Sequence, residues 1–135
     1  MKARPYIQGR RAAAAAQTAA RITEAATHLF LECGDVPTLE AVAQRADVAV
    51  QTILRRFGSK EGLVAAAFAD YRQRVVDQRE RAPVGDLAGA VANLGEHYAQ
   101  AGDVALRLLA IEGTSAAATA AASEGRAVHR AWVER

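Results

Sequence analysis

The stretch Thr38–Lys60, TLEAVAQRADVAVQTILRRFGSK, decides the fold. It holds two short segments with helical spacing of apolar residues, and the first ends near Asp47. Thr38 is a good first residue for that helix, because its hydroxyl can accept a hydrogen bond from a free backbone N–H. The second segment ends at Phe57, and Gly58 stops it. Two short helices joined by a tight turn are the helix-turn-helix layout, whose second helix enters the DNA major groove.

The second helix of this stretch separates apolar from polar residues. At 100° per residue its apolar residues share one arc, and the polar ones share the opposite arc. Arginine can form bidentate hydrogen bonds with guanine, and glutamine can do so with adenine. Threonine can contact a base or a thymine methyl. An ordinary solvated face is the alternative, but such a face usually mixes charges, and this one has two cations and no acid. The predicted DNA contacts on this helix are Gln51, Thr52, Arg55 and Arg56.

The helix starts on either side of the reading helix predict contacts with phosphate. Ser59 is a suitable N-cap, but Lys60 directly after it is not, because a helix N-terminus is already positive. The cation is explained if an external anion lies there, held by free N–H groups and the ammonium. Thr38 offers a hydroxyl and N–H groups in the same way. Together Thr38 and Lys60 would fix the register of the helix on the duplex without reading its sequence.

Composition and spacing predict an all-α chain. Half of the 135 residues are hydrophobic, many of them alanine, the best helix former. We expect a flexible basic arm over residues 1–17, a helix-turn-helix domain with a long fourth helix over residues 18–82, and a second helical region over residues 83–135. Pro83 and Gly85 mark the boundary. In the second region we expect a helix capped by Asp86, a new helix at Gly102 and a last helical stretch from residue 124.

Charge is uneven along the chain. Residues 1–82 contain 13 Lys and Arg against 9 Asp and Glu, whereas residues 83–135 contain 4 against 6. The excess of positive charge over residues 1–82 suggests that this part of the chain binds a polyanion. The alternative is that the uneven charge distribution arises by chance. Arg10 and Arg11 lie in the predicted arm, where they could reach a minor groove as homeodomain arms do. Disorder that serves solubility is the alternative for the arm.

The sequence gives no indication of a disulfide-linked, membrane-spanning, secreted or enzymatic protein. Cys33 is the only cysteine, which excludes an intrachain disulfide, and we expect it to fill the core. No apolar run approaches the roughly 20 residues that span a bilayer, and the alanine run is too short and weakly apolar for a signal peptide. We expect a reducing cytoplasm. Glu96 and Glu112 lack an accompanying nucleophile, so we predict no catalytic residues, no metal, no cofactor and no enzyme activity.

From about Ala20 to Tyr71 the chain resembles the TetR-type one-component repressors of bacteria. The segment RITEAATHLFLECGDVPTLEAVAQRADVAVQTILRRFGSKEGLVAAAF shows Ala-Ala-x-x-Leu-Phe, a Thr start, Ala-x-x-Ala-x-Val and Phe-x-Ser-Lys-Glu-x-Leu. The resemblance implies a DNA-binding domain of three helices with a fourth connecting helix. It further implies that residues 83–135 begin a helical domain that binds a small effector and forms a homodimer.

The chain departs from the family pattern at three positions near the reading helix. Asp47 stands where the family often has glycine, but aspartate tolerates left-handed backbone. Ala49 replaces a capping Ser or Thr. Leu54 replaces a tyrosine that commonly touches phosphate, and Arg56 is expected to take over that contact with a full charge. We therefore expect a steeper salt dependence of DNA binding, by about one phosphate equivalent.

The second region offers only a weak site. An effector cavity could be lined by His97, Tyr98, His129 and Trp132, although aromatic residues at helical spacing more often belong to a core. His28 lies off the apolar stripe of its helix and is expected to be solvated. The chain stops in mid-helix at Arg135, so we expect either a fragment or a shortened relative, and a homodimer only if further helices exist.

The function predicted from the sequence is a DNA-binding transcriptional regulator, released from its operator by a small molecule. The partners are a double-stranded operator and an unidentified effector, with no membrane. The alternative is a helical protein-interaction module that keeps the fold without DNA affinity, because the tyrosine and the later helices are missing.

Overall fold

The computed structural model describes residues 4–135, which contain six helices and no strand. The expected all-α class is confirmed. The helices are α1 (Arg4–Cys33), α2 (Leu39–Ala46), α3 (Val50–Phe57), α4 (Lys60–Arg79), α5 (Leu87–Ala110) and α6 (Ala116–Val133).

The first core lies between α1, α2, α3 and the first half of α4. Its largest fully buried side chains are Ile22, Val42, Ile53 and Leu63, one from each of the four helices. A side-chain hydrogen bond ties two of these helices together. The Thr23 hydroxyl donates to Oδ2 of Asp70 at 2.6 Å, which joins α1 to α4. The core holds α3 at a fixed angle, because its buried side is occupied along the whole helix.

The second core joins the end of α1 to the C-terminal helices. Phe30 packs edge-on against Phe68, with ring centroids 5.6 Å apart. Val104 and Ile111 complete the core from the α5 side. The buried face of α6 consists of four alanines, and such small side chains let α6 approach α4 closely: Ala117, Ala118, Ala121 and Ala122.

One hydrogen bond links the start of α4 to the start of α6. Oε1 of Glu61 accepts from the backbone N–H of Ala117 at 2.7 Å. Ser115 caps the same helix through the N–H of Ala118. A carboxylate is favourable at a helix N-terminus, since the free N–H groups and the dipole are both positive there. The N-terminal end of α4, which follows α3, is therefore linked to α6 by a hydrogen bond.

Three expectations about the helices were wrong. The predicted flexible arm over residues 1–17 is helical from Arg4 onward, because α1 continues through the alanine run; residues 1–3 lie outside the described residues. No new helix begins at Gly102, which lies within α5. A helical glycine costs about 1 kcal/mol, and burial of Ala101 and Val104 on either side outweighs that cost. The last helix begins at Ala116, well before residue 124.

Two expectations about burial were also wrong. Cys33 is exposed as the last residue of α1, although Phe30 in the same turn is buried in the second core. The helical spacing of Leu87, Val91, Leu94 and Tyr98 predicts a buried stripe on α5, but Leu87, Val91 and Tyr98 are exposed. The buried residues of that helix are Asn93, Ala101 and Val104. None of the described helices is long and apolar enough to cross a membrane.

Candidate nucleic-acid interface

The predicted reading helix, α3, presents its polar side to solvent. Gln51, Arg55 and Arg56 are exposed, and Thr52 is half-buried. On the opposite side Ile53 is completely buried, while Leu54 and Phe57 are partly covered. The separation of faces that the sequence predicts is therefore present, and the four polar side chains share the accessible side. Their contacts with DNA remain predictions.

The turn between α2 and α3 depends on a left-handed residue. Asp47 has φ 53° and ψ 54°, and its N–H bonds to carbonyls of the last turn of α2. Aspartate visits this region more readily than most residues. Ala49 is the N-cap of α3 and makes no side-chain capping bond. The turn thus forms with aspartate in the glycine position and without a hydroxyl at the start of the reading helix.

Both flanking helix starts have the expected caps. Oγ1 of Thr38 accepts from the N–H of Ala41 at 3.2 Å, and Oγ of Ser59 accepts from the N–H of Gly62 at 2.9 Å. Lys60 follows this second cap with its side chain exposed. A phosphate at either start would meet backbone N–H groups as well as a polar or charged side chain. The phosphate contacts of Thr38 and Lys60 remain predictions.

The interface has cations that the protein itself does not neutralise. Arg45 on α2 is engaged by Glu32 of α1 through two hydrogen bonds, at 2.9 and 2.7 Å. Within residues 8–135, by contrast, no salt bridge engages Arg55, Arg56 or Lys60. Three accessible cations around one short helix form a surface suited to a polyanion.

Arg10 and Arg11 are exposed on the first turns of α1. The segment that carries them is helical, where the sequence predicted a flexible arm. Their contact with DNA remains a prediction.

A cavity of about 550 Å³ lies between α4, α5 and α6. His97, Tyr98 and His129 line it, and their contact with an effector remains a prediction. Trp132 is not part of the cavity wall. Its indole lies against the guanidinium of Arg79, 5.0 Å from the ring centroid, and its Nε1–H donates to the Arg79 carbonyl at 3.0 Å.

Arg79 is the residue of this cavity that sequence reasoning missed. It is only 4% exposed, and Nη1 lies 2.8 Å from Nδ1 of His129. Its position carried a signal, because Val75 and Arg79 continue the spacing of Phe68 and Tyr71 along the inner side of α4. An arginine in a stripe of apolar residues is unusual enough to mark a site.

The two cavity histidines favour the neutral form. Burial lowers the pKa of His97, and the charge of Arg79 and the proximity of His129 lower it further. Burial and the nearby Arg79 charge lower the pKa of His129 in the same direction. A neutral His129 can accept from the guanidinium through Nδ1, which agrees with their separation.

These lowered pKa values predict a loss of stability in mild acid. The unfolded chain takes up protons near the ordinary histidine value of 6.5, whereas the folded chain resists them. The free energy of unfolding should therefore decrease as the pH falls below 6.5, before the carboxylates, with ordinary values near 4.5, begin to titrate. Thermal melts between pH 7.5 and 5 check this.

The matched controls for that prediction lie within the chain. A His97→Asn, His129→Gln double variant should lose most of the decrease, while His28→Asn, on an exposed part of α1, should keep it. An equal decrease in the double variant would assign the effect to other groups.

Comparison with known proteins identifies the N-terminal helices. Residues 22–67 match the family model described as bacterial regulatory proteins, tetR family. The match covers the buried part of α1, both short helices and the start of α4. Comparisons with curated proteins and with solved structures gave no significant match. The expected resemblance is confirmed over this segment: residues 22–67 are similar to the N-terminal domain of the tetR family of DNA-binding transcription regulators.

Proposed function

We propose that the protein is a repressor that leaves its operator when a small molecule enters the cavity between α4, α5 and α6. The observation that carries this proposal is the double role of α4. Its first residue, Lys60, flanks the reading helix, and its last, Arg79, lies in the cavity wall. A ligand that changes the packing of α4 therefore acts on a helix that is also part of the interface.

The contacts of α4 give this coupling a physical route. Its first turn is fastened to α6 through Glu61 and Ala117, and Arg72 further along pairs with Glu124 of α6. A ligand shifts the equilibrium only if it binds the two arrangements with different affinity. We infer that the cavity ligand favours an arrangement of α4 and α6 in which Lys60 no longer lies opposite a DNA phosphate. The predicted phosphate contact at the start of α4, here called the phosphate clamp, is then lost.

The proposal includes a homodimer in the bacterial cytoplasm. Two reading helices of a dimer would contact half-sites about 34 Å apart, which is one turn of DNA. The alternative, a protein-interaction module, is favoured by Leu54, which lies at the position where the family commonly has a phosphate-contacting tyrosine.

DNA binding measured against salt concentration separates these two functions. The regulator should lose affinity steeply as salt rises, because bound phosphates release counterions. Lys60→Ala should weaken all duplexes alike and flatten the salt slope by about one, whereas Arg55→Ala should relax preference at one base pair. Glu40→Ala, on the exposed surface of α2, is the control and should not weaken binding. Absence of duplex binding at low salt would favour the interaction module, and wild-type binding by both test variants would refute the assigned contacts.

A further inference from the structure

We propose that the cavity ligand is an organic carboxylate with an apolar body, whose carboxylate is held by Arg79. The inference rests on the proposed function for the cavity's regulatory role, but the ligand class follows from the side chains that surround it.

The first argument is the burial of a charge without a counterion. Arg79 is 4% exposed, yet no salt bridge joins it to a carboxylate within residues 8–135. Its Nε is also buried and forms no hydrogen bond with any described residue. An arginine keeps its charge in proteins, and a buried charge that lacks an opposite partner is costly. A bound anion would remove that cost.

The second argument is the orientation of the guanidinium. Nη1 is engaged by His129, and the ring of Trp132 lies against the guanidinium. These contacts engage Nη1 and one face of the group, and they leave the buried Nε without a hydrogen-bond partner among the described residues. A carboxylate can accept from two adjacent N–H groups of a guanidinium, a geometry that adds both strength and selectivity. Because His97 and His129 favour the neutral form, Arg79 is the charge that selects the ligand.

The third argument distinguishes Arg79 from the other charged residues of the cavity. Arg72 pairs with Glu124, and Arg126 pairs with Glu112, so the protein already supplies their counterions. Arg130 and Glu134 are exposed at the end of α6, where water solvates them. Arg79 combines burial with an Nε that has no hydrogen-bond partner among the described residues.

The remaining walls define the rest of the ligand. They are mostly apolar, with Phe68, Val104 and Leu108 among them. A volume of about 550 Å³ lies in the range of cavities that hold drug-sized ligands. The occupant is therefore an amphipathic acid, with an alkyl or aryl body against these walls and its acid group at Arg79.

Isothermal titration with matched probes tests the ligand class on the wild-type chain. The alkyl set is decanoate, decanol and decyltrimethylammonium, and the aryl set is 2-naphthoate and 2-naphthol. A carboxylate should bind about 10- to 100-fold more tightly than its alcohol, which corresponds to one charge-assisted contact. Trp132, the only tryptophan, should change its fluorescence as the carboxylate binds, because it stacks on Arg79.

Arg79→Gln tests the assigned residue. It should weaken carboxylate binding by about 10- to 100-fold and leave alcohol binding unchanged. Arg74→Gln, on the exposed side of the same helix and outside the cavity wall, is the matched control and should bind both probes like the wild type. Circular dichroism checks that each variant folds. If Arg79→Gln does not fold, the affinities of the wild-type chain for the carboxylate and alcohol probes test the proposal without it.

Three results would overturn the proposal. They are equal affinity for acid and alcohol, preference for the cationic probe, and absence of binding by either carboxylate. Wild-type carboxylate binding by a folded Arg79→Gln variant would also do so, since Arg79 would then be only a structural partner of Trp132. Carboxylate binding that leaves operator affinity unchanged would uphold the ligand class and refute the proposed release from DNA.

Discussion

Replacing Ile53 by alanine is expected to lower the free energy of unfolding by about 2–5 kcal/mol, the usual cost of deleting a large buried side chain. Ile53 is fully buried and is the one completely enclosed side chain of the reading helix. Its removal leaves a void among α1, α2 and α4, whose side chains cannot all collapse into it. Denaturant unfolding measures the change, and duplex binding should fall with it.

Leu106→Ala is the control for this prediction. The side chain is of similar size but is 68% exposed on α5, so its loss should alter the free energy of unfolding by no more than about 0.5 kcal/mol. A loss of less than about 1 kcal/mol for Ile53→Ala would show that other contacts fix α3 in place.

Gly62→Ala is expected to disturb both stability and DNA binding. A Cβ at this position would overlap the backbone carbonyl oxygen of Phe57, at the end of the reading helix. The backbone must move to relieve that overlap, at a cost of about 1–3 kcal/mol. Because Ser59 and Lys60 lie between the two clashing residues, the predicted phosphate clamp moves too. Denaturant unfolding and duplex titration measure the two effects.

Gly102→Ala provides the opposite expectation within the same fold. A Cβ there meets no atom within 4 Å, and α5 continues through the position. Alanine should therefore stabilise the protein by up to about 1 kcal/mol and leave DNA binding unchanged. If Gly62→Ala behaved like Gly102→Ala, the junction between α3 and α4 would have to be looser than its geometry indicates.

The elements that were predicted well are those specified by local chemistry. The two short helices have Thr38 and Ser59 at their boundaries, and each cap acts within three residues of its own position. The exposed side of α3 also follows from its own eight residues, since its polar and apolar faces are cleanly separated. The prediction for the start of α1 was wrong because the high helix propensity of the alanine run favours a helix across this segment, which includes Gly9 and the neighbouring cations.

The elements that were missed depend on partners distant in sequence. Glu61 caps α6 through Ala117, which lies 56 residues later in the sequence, and no local sequence pattern predicts that contact. Trp132 turns to Arg79 instead of into the cavity because a ring against a guanidinium gains a cation–π contact. The exposed apolar residues of α5 follow a helical period, but periodicity does not reveal which side of a helix has neighbours. Contacts of this kind are set by tertiary packing.

The alanine face of α6 constrains how such a protein can diversify. Ala121 and Ala122 are buried and also border the cavity. Larger side chains there would narrow the chamber and admit shorter occupants, but they would simultaneously push α6 away from α4. Substitutions at these two positions would thus change the size of the cavity and the stability of the α4–α6 packing together, so a change in the size of the cavity should be easier from the α5 wall.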